Sequence, residues 1–234
     1  MNLYFVLLSY ILSPTCHFIL PSGSSQIFYN PSLLKAHTSF SVLYANPFSI
    51  DGLNFYSLSL SFKNTGFGVQ TVQFGDFYMT SLNACISSKV SKNLNAGTGF
   101  ELLQLSSDEV SNRVRFFGGI STTLNGTLFG VSVFNIYSTS KEDPVEVSLQ
   151  ISKKFTDRFI AGVNFMFQEG MPFSSKAGIL YRISEIFDLS GGYSTNPDEY
   201  FVCMGFSHLL KLTYTFNLHT FLGTTHVIEL SYPG

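Results

Sequence analysis

Strict alternation of apolar and polar side chains runs through residues 211–219, which read KLTYTFNLH. Apolar residues occupy the even positions, and Lys, Thr, Thr, Asn and His occupy the odd ones. Successive side chains of a β-strand point to opposite faces, so this segment predicts a strand with one apolar and one polar face. The same period of two recurs in residues 55–63 and 145–153. No long window shows the apolar spacing of a helix, and the chain is therefore predicted to be all-β.

Turn residues divide the rest of the chain into further candidate strands. In all, strands are predicted at 38–46, 53–63, 66–74, 77–89, 94–105, 113–122, 127–138, 145–154, 158–168, 174–183, 187–194, 200–207, 210–219 and 225–232. A strand crosses a bilayer with roughly 9–11 residues, which matches these lengths. Every second connection is tight, as at Asn125-Gly126. The pattern predicts an antiparallel transmembrane barrel of about 14 strands with longer loops on one side.

The low charge content favours a membrane barrel over a soluble β-sandwich. Only 12% of the 234 residues are charged, against roughly 25% in an ordinary soluble domain. The polar faces of the strands carry Ser, Thr, Asn, Gln and Gly, which is typical of a barrel whose apolar face meets lipid and whose polar face lines a lumen. Closure of the sheet also leaves no unpaired strand edge in hydrocarbon. A soluble exported β-protein remains the alternative at this point.

Composition excludes several other classes of protein. The 25 Phe and 12 Tyr residues exclude a disordered chain. A net charge of −2 without a basic run predicts no nucleic-acid partner. No apolar run reaches the roughly 20 residues of a transmembrane helix. The three cysteines do not form a disulfide framework, and we expect Cys85 and Cys203 to be isolated small apolar side chains.

The N-terminal residues 1–21 are predicted to be a signal peptide, and the barrel is predicted to occupy residues 38–234. The apolar run at residues 3–12 is too short to span a bilayer, and small residues follow at 22–25. A buried first strand or helix is the alternative interpretation of this run.

No group of residues in the sequence predicts catalysis. A Gly-x-Ser-x-Gly elbow and a phosphate loop are both absent from the sequence. His219 and His226 flank one hairpin loop, but two histidines without a neighbouring Cys or carboxylate make a weak metal site. The sequence predicts a protein that is not an enzyme, with no catalytic residues, no cofactor and no metal.

Side chains on the polar face of the strands are the candidate binding residues. Alternation along each predicted strand places charged and apolar candidates together on the lumen face. They are Arg113, Arg115, Phe117, Met166, Lys176, Leu180, Arg182, Lys211 and Glu229. Lys211 and Glu229 lie on neighbouring strands, where they could pair. An amphipathic lumen of this kind can hold a lipid-like solute, with its chain on the apolar residues and its head group on the basic ones. A structural ion-pair network that blocks passage is the alternative.

Two patches of the sequence resemble one family of membrane barrels. The first reads Phe28-Tyr29-Asn30-Pro31-Ser32-Leu33-Leu34, and the second covers residues 192–232, including KLTYTF at 211–216. Both resemble the PorV/PorQ-like outer-membrane proteins, relatives of the FadL long-chain fatty-acid transporters. The resemblance implies a fourteen-stranded barrel and an N-terminal hatch or plug, here residues 22–37, with Asn30 and Pro31 in the hatch motif. The segment before this motif is shorter than in the family, and Ser32 and Leu33 replace the usual Ala-Gly.

The resemblance also implies a function and a location. The chain is expected to lie in the outer membrane, surrounded by lipid, and to pass or bind a small hydrophobic or amphipathic solute. The barrel-insertion machinery is a further expected partner, with Tyr232 as the aromatic residue that it would read. An occluded structural barrel, or a barrel that partners a secretion-system protein without transport activity, is the alternative.

Overall fold

The computed structural model describes residue 19 and residues 24–34, 37–107, 110–140 and 143–232. Except for Ile19, the predicted signal peptide lies outside the described residues. The strands are β1 (Ser39–Asn46), β2 (Leu53–Phe62), β3 (Thr65–Phe74), β4 (Phe77–Lys89), β5 (Leu94–Ser106), β6 (Val110–Leu124), β7 (Thr127–Ser138), β8 (Glu146–Lys154), β9 (Phe159–Gln168), β10 (Ser174–Arg182), β11 (Phe187–Thr195), β12 (Glu199–Ser207), β13 (Lys211–His219) and β14 (Gly223–Tyr232).

The strands form one closed antiparallel barrel in which each strand pairs with its neighbours in sequence. Pairing of β1 with β14, from Phe40 opposite Tyr232 to Asn46 opposite His226, closes the sheet. This confirms the predicted all-β fold class and the fourteen strands. The largest difference in bounds is at β6, which was predicted to begin at residue 113 and begins at Val110. Polar residues precede Arg113, so the pattern gave no signal for pairing with the end of β5.

The outward face of the barrel is apolar and exposed, whereas the inward face carries small polar residues. In β2, Leu58, Leu60 and Phe62 are 51%, 46% and 55% exposed, and the alternating Ser59 and Ser61 are buried. A continuous belt of exposed apolar side chains is unfavourable in water but is the surface that a bilayer solvates. The closed sheet satisfies the backbone hydrogen bonds that hydrocarbon cannot. The fold is therefore that of a membrane-spanning β-barrel.

The two ends of the barrel differ in their connections. The loop end contains the β1–β2 connection and every second connection after it, and the two longest connections, residues 47–52 and 139–145, lie there. The opposite end, where β1 begins and β14 finishes, is called the terminal end. No helix among the described residues is long and apolar enough to cross a membrane.

Three short 3₁₀ turns complete the described structure: Ser24–Phe28, Pro31–Leu33 and Pro47–Ser49. The second begins after Asn30, whose side-chain oxygen accepts hydrogen bonds from the Ser32 amide and hydroxyl at 3.1 and 2.7 Å. Asn is a favourable residue before a helical turn, and Pro31 fits its first position because no amide hydrogen is needed there.

Candidate functional site in the barrel lumen

A cluster of apolar side chains lines the lumen toward the loop end. It is formed by inward residues of β1–β5 and β14 and by one residue of the β1–β2 connection: Leu43, Ala45, Phe48, Leu53, Phe55, Val72, Met79, Leu103 and Val227. We call this set the loop-end apolar cluster. All of its members are buried inside the barrel, at 8% exposure or less. Alternation places these positions on the same face as the inward serines, so the lumen face changes from polar to apolar along single strands.

The β1–β2 connection folds inward over this cluster. Phe48 adopts a φ of 56°, which L residues rarely occupy. Its amide donates a 2.8 Å hydrogen bond to the Thr225 hydroxyl, and its ring lies 5.6 Å from the His219 ring in an edge-on arrangement. The connection thereby covers part of the lumen with an aromatic side chain.

A charged cluster of Glu101, Arg113, Arg115 and Asp143 lies on the β5–β7 side of the lumen. Asp143 comes from the β7–β8 connection, and its side chain is fully buried. Arg113 Nη1 lies 2.6 Å from Asp143 Oδ1, and Arg115 Nε lies 2.9 Å from Asp143 Oδ2. Arg115 Nη2 is a further 2.9 Å from Oδ1, which makes the Arg115–Asp143 pair bidentate. Arg115 Nη1 also reaches Glu101 Oε2 at 3.3 Å.

Hydroxyl donors complete the charged cluster. The Ser81 hydroxyl donates to Glu101 Oε1, and the Ser138 hydroxyl donates to Asp143 Oδ2, both at 2.5 Å. Burial alone would raise the pKa of the Asp143 carboxyl, but hydrogen bonds from Arg115, Ser138 and Arg113 and the charge of Arg115 outweigh burial and lower it. The carboxylate therefore stays ionised and holds the β7–β8 connection in the lumen.

Residues 24–34, here called the N-terminal segment, lie inside the barrel. The Ser24 hydroxyl donates a 3.2 Å hydrogen bond to the Ser59 carbonyl, and the Ser121 hydroxyl donates a 3.3 Å hydrogen bond to the Ser32 carbonyl. Asn30 Nδ2 donates to the Val131 carbonyl at 3.4 Å. These contacts join the segment to β2, β6 and β7. A hatch role for residues 22–37 remains a prediction.

Inward glycines provide the space that the N-terminal segment occupies. A Cβ atom at Gly97 would lie 2.5 Å from the Pro31 carbonyl carbon and 2.6 Å from the Ser32 nitrogen. At Gly66 it would lie 2.5 Å from the Ile27 side chain. Real side chains do not approach so closely, and glycine at these positions therefore permits the contact. The predicted motif residues Asn30 and Pro31 both take part in this packing.

A second apolar cluster lies on the β9–β12 side, where Ile19 packs with Ile160, Leu180, Phe201 and Cys203. Ile19 is completely buried, and its carbonyl accepts a 2.5 Å hydrogen bond from the Ser152 hydroxyl. Ile19 belongs to the segment predicted to be a signal peptide. Cys203 was expected to be an isolated thiol, but it is disulfide-bonded. Cys85 is a buried free thiol, as predicted.

The predicted lumen residues occupy several separate environments. Phe117 and Leu180 are buried at 2% and 5% exposure, Lys176 and Glu229 are also buried, and Met166 is half-buried. Arg182 is exposed at the end of β10, on the terminal end of the barrel. The structure brings Arg113 and Arg115 together, while Lys176 lies on another wall.

The suggested pairing of Lys211 with Glu229 is wrong. Lys211 Nζ lies 2.8 Å from Asp188 Oδ2, and Glu229 accepts a 2.5 Å hydrogen bond from the Ser41 hydroxyl. Asp188 and Lys211 belong to β11 and β13, and they meet across Gly205 of β12, where a Cβ atom would collide with the Asp188 carboxylate. A glycine on the middle strand permits a pair between strands that are not neighbours, which local pairing rules do not anticipate.

The two histidines of the last hairpin lie on opposite faces of the sheet. His219 is buried on the lumen side, and its Nδ1 accepts hydrogen bonds from the Phe221 and Leu222 amides at 3.0 and 2.9 Å. His226 contacts Tyr214 on the other face, with Nδ1 2.7 Å from the phenol oxygen. The idea that they approach each other is therefore wrong. Within the described ranges, no group of three His, Cys, Asp or Glu side chains is placed to hold a metal ion.

Sequence reasoning missed the acidic partners in the lumen. Glu101 could have been detected as an inward residue, because it lies two residues before Leu103 and four before Leu105 and therefore shares their face of β5. Asp143 lies in a connection without periodicity, and nothing in the sequence signals that the connection folds inward. The basic residues predicted to meet a solute head group, Arg113 and Arg115, instead contact these two carboxylates.

Comparison with solved structures supports the class of protein that the fold defines, a membrane β-barrel of the outer-membrane type. The chain is similar to a Pseudomonas aeruginosa FadL homologue, with 13% identity, a TM-score of 0.61 and coverage of 92% of this chain and 95% of that one. It is also similar to the monoaromatic hydrocarbon channel CymD, with 11% identity, a TM-score of 0.60 and coverage of 94% and 96%.

A third similar structure is the Pseudomonas putida toluene transporter TodX, with 9% identity, a TM-score of 0.58 and coverage of 93% of this chain and 96% of that one. At these identities the similarity concerns the fold. No family model matches the sequence, and no curated protein matches it. The particular fold is thus the FadL-like fourteen-stranded barrel.

Proposed function

We propose that this chain is an outer-membrane barrel that passes small hydrophobic or amphipathic solutes. The observation that carries the proposal is the apolar lining of the lumen. Nine buried residues form the loop-end apolar cluster, and a second apolar cluster follows on the β9–β12 side. A diffusion pore for hydrophilic solutes has a polar, water-filled interior. An apolar lining removes water and favours solutes that are themselves apolar.

The N-terminal segment and two inward-folded connections limit any water path. Residues 24–34, Phe48 and Asp143 all occupy lumen space. In our proposal the N-terminal segment acts as a small plug at the terminal end, and solutes move along apolar side chains rather than through a water column. The solved structures named as a hydrocarbon channel and a toluene transporter support this proposal at the level of fold.

Uptake by intact cells tests the proposal. Gram-negative cells that carry the chain in their outer membrane are compared with cells that carry an empty vector, using radiolabelled toluene and radiolabelled sucrose. We expect the initial rate of toluene uptake to rise several-fold, because one apolar path is added, while sucrose uptake stays unchanged. Equal acceleration of both solutes would indicate a hydrophilic pore and would overturn the proposal.

A second candidate is an occluded barrel that partners a secretion-system protein, in the manner of PorV/PorQ-like proteins. The filling of the lumen by residues 24–34 and by the charged cluster favours it. In that case neither solute would enter faster, although heat-modifiable migration on a gel would still report a folded barrel.

A further inference from the structure

The two ends of the barrel carry opposite surface charge. The described loop-end connections contain no lysine or arginine, and they expose four acidic residues: Asp51, Asp76, Glu169 and Asp198. At the terminal end the described chain exposes two acidic residues, Asp157 and Glu185, and a larger basic set: Lys63, Lys89, Lys92, Lys153, Lys154, Arg158 and Arg182. This set contains every exposed lysine and arginine among the described residues. Exposed positive charge is therefore confined to one end of the barrel.

Three of these lysines form one patch. Lys63 lies in the β2–β3 turn, Lys89 ends β4, and Lys92 lies in the β4–β5 connection. The turn and the end of β4 are neighbours, because the Ser87 amide donates a 2.7 Å hydrogen bond to the Asn64 carbonyl. We call Lys63, Lys89 and Lys92 the lysine patch.

The lysine patch has no acidic counterpart in the protein. Residues 52–75 and 77–100 contain no Asp or Glu. Within the described ranges, no ion pair joins a lysine of the patch to a carboxylate. On the β8–β10 side of the terminal end, by contrast, Lys154 Nζ lies 2.6 Å from Asp157 Oδ1, and Arg182 also interacts electrostatically with Asp157. The patch is thus the part of the terminal end whose positive charge the protein leaves uncompensated.

Apolar side chains that face the lipid border the lysine patch. Phe62 and Ile86 point outward from β2 and β4 and are 55% and 54% exposed, and Val90, within the patch, is 60% exposed. Lys63 Nζ lies 5.3 Å from the centroid of the Phe62 ring. An ammonium group over a lipid-facing ring lies where hydrocarbon meets head groups. A molecule bound from the membrane side would therefore meet positive charge and apolar surface together.

This combination fits a phospholipid better than a soluble acidic partner. Each lysine near the membrane surface attracts an anionic head group, and the acyl chains of the same molecule continue onto the apolar belt. A soluble protein could use the charge but not the side chains that the bilayer covers. The two longest connections lie at the other end of the barrel, which places the patch on the periplasmic side, where the turns of such barrels are short.

We propose that the lysine patch binds the head group of an anionic phospholipid of the phosphatidylglycerol class, with its acyl chains on the apolar belt beside Phe62 and Ile86. The phosphate oxygens accept hydrogen bonds from the lysine ammonium groups. The site lies on the outer wall of the barrel, and it does not depend on the proposed passage of solutes through the lumen.

Native mass spectrometry of the protein, purified from membranes in a neutral detergent, measures this binding. The protein is offered equal amounts of phosphatidylglycerol and phosphatidylethanolamine with identical acyl chains, so that only the head group differs. We expect the phosphatidylglycerol adduct to exceed the other at least about tenfold at low ionic strength, since each lysine near an anionic head group contributes roughly a factor of five. The excess should shrink as the salt concentration rises.

The variant that tests the lysine patch removes its three charges together. Lys63→Gln, Lys89→Gln and Lys92→Gln combined should bring the ratio of the two adducts close to one. All three positions are exposed, so the folded fraction on a heat-modifiability gel should stay the same. Glycerol 3-phosphate, which has the phosphate but no acyl chains, should not displace phosphatidylglycerol from the wild type.

A matched variant changes the net charge by the same amount elsewhere at the terminal end. Lys153→Gln, Lys154→Gln and Arg158→Gln combined remove three exposed positive charges where Asp157 already offsets part of the charge. This variant should retain most of the preference for phosphatidylglycerol.

Four results would overturn the proposed lipid site. An unchanged adduct ratio in the patch variant, or equal losses in both triple variants, would reduce the preference to general attraction between charges. Displacement by glycerol 3-phosphate would show that the lysines take free phosphates. Binding of a polyglutamate peptide to the same lysines, without preference between the two lipids, would assign the patch to an acidic protein. None of these results bears on toluene uptake by cells, which tests the proposed function separately.

Discussion

Two walls of the same lumen use the same strand alternation for opposite purposes. On the β5–β7 side, inward positions carry Glu101, Arg113 and Arg115, and the connection residue Asp143 joins them into a charged cluster. On the β9–β12 side, inward positions carry a row of glycines with polar residues toward the loop end and mostly apolar residues toward the terminal end. The first wall is fixed by ion pairs and anchors a connection inside the barrel. On the second, the Phe201 ring packs over Gly178 and Gly192. The difference separates a part of the lumen that is held by charge from a part that is held by close apolar packing.

The largest effect is expected from removing the central arginine of the charged wall. Arg115→Ala leaves the buried Asp143 carboxylate and the half-buried Glu101 carboxylate with weaker compensation, and loss of one partner of a buried pair costs about 3–5 kcal/mol. Urea unfolding of the barrel in phospholipid vesicles measures this change. The matched control is Lys154→Ala, which removes the exposed Lys154–Asp157 pair and should leave stability unchanged. Equal losses of unfolding free energy in both variants would show that the charged cluster contributes no more to stability than an exposed ion pair.

Acidification should lower the unfolding free energy by a smaller amount than Arg115→Ala does, because a protonated Asp143 still accepts hydrogen bonds. The pKa of Asp143 in the folded barrel lies below its ordinary value of 3.8. Its carboxylate therefore stabilises the folded state above pH 3.8, and this contribution is lost as the pH falls through the folded pKa. The difference in unfolding free energy between wild type and Asp143→Asn should be constant at neutral and mildly acidic pH and shrink below about pH 4. A difference that grows on acidification would contradict the assigned ion pairs.

Displacing the N-terminal segment tests whether it limits the water path. Gly97→Val places methyl groups against Pro31 and Ser32, and overpacking of this kind costs about 1–3 kcal/mol. We expect steady conductance in a planar bilayer for this variant and much less for the wild type. Ala96→Val, on the other face of β5, serves as the control and should behave like the wild type. Identical conductance in all three proteins would contradict a plug role for the N-terminal segment.

The smallest effect is expected at the ion pair between β11 and β13. Lys211 and Asp188 are paired at the terminal end, where their side chains are 26% and 14% exposed. Water and salt screen such a pair, and Lys211→Met should cost about 1 kcal/mol or less. A loss as large as that of Arg115→Ala, in the same urea experiment, would remove the contrast between the two walls.

The strand positions could be predicted from the sequence because the period of two repeats in every segment. The surrounding lipid requires this period, since side chains that face the hydrocarbon must be apolar. Parity also placed Phe117, Lys176, Leu180 and Glu229 on the inward face, where they are buried. Partners across the lumen did not follow from parity. Asp143 enters from a connection, and the Lys211–Asp188 pair depends on the absence of a side chain at Gly205.

The roles of the glycines were the hardest to predict from the sequence. Within strand patterns they were expected only to mark curvature or close approach. Their meaning depends on register: Gly162, Gly178 and Gly192 are separated along the chain and meet only because three strands pair in one alignment. Gly97 likewise acquires its role from the N-terminal segment, which is remote in sequence.

The most direct test of the account compares initial rates of radiolabelled toluene uptake by cells that carry the wild type, Met79→Gln in the loop-end apolar cluster, or Tyr78→Phe, its exposed outward neighbour on β4, at equal folded amounts. The account predicts several-fold acceleration over empty cells for the wild type and for Tyr78→Phe, and a much smaller acceleration for Met79→Gln, because a polar side chain there holds water in the apolar lining. Equal acceleration by all three proteins would contradict it, because the solute would then pass without using the loop-end apolar cluster.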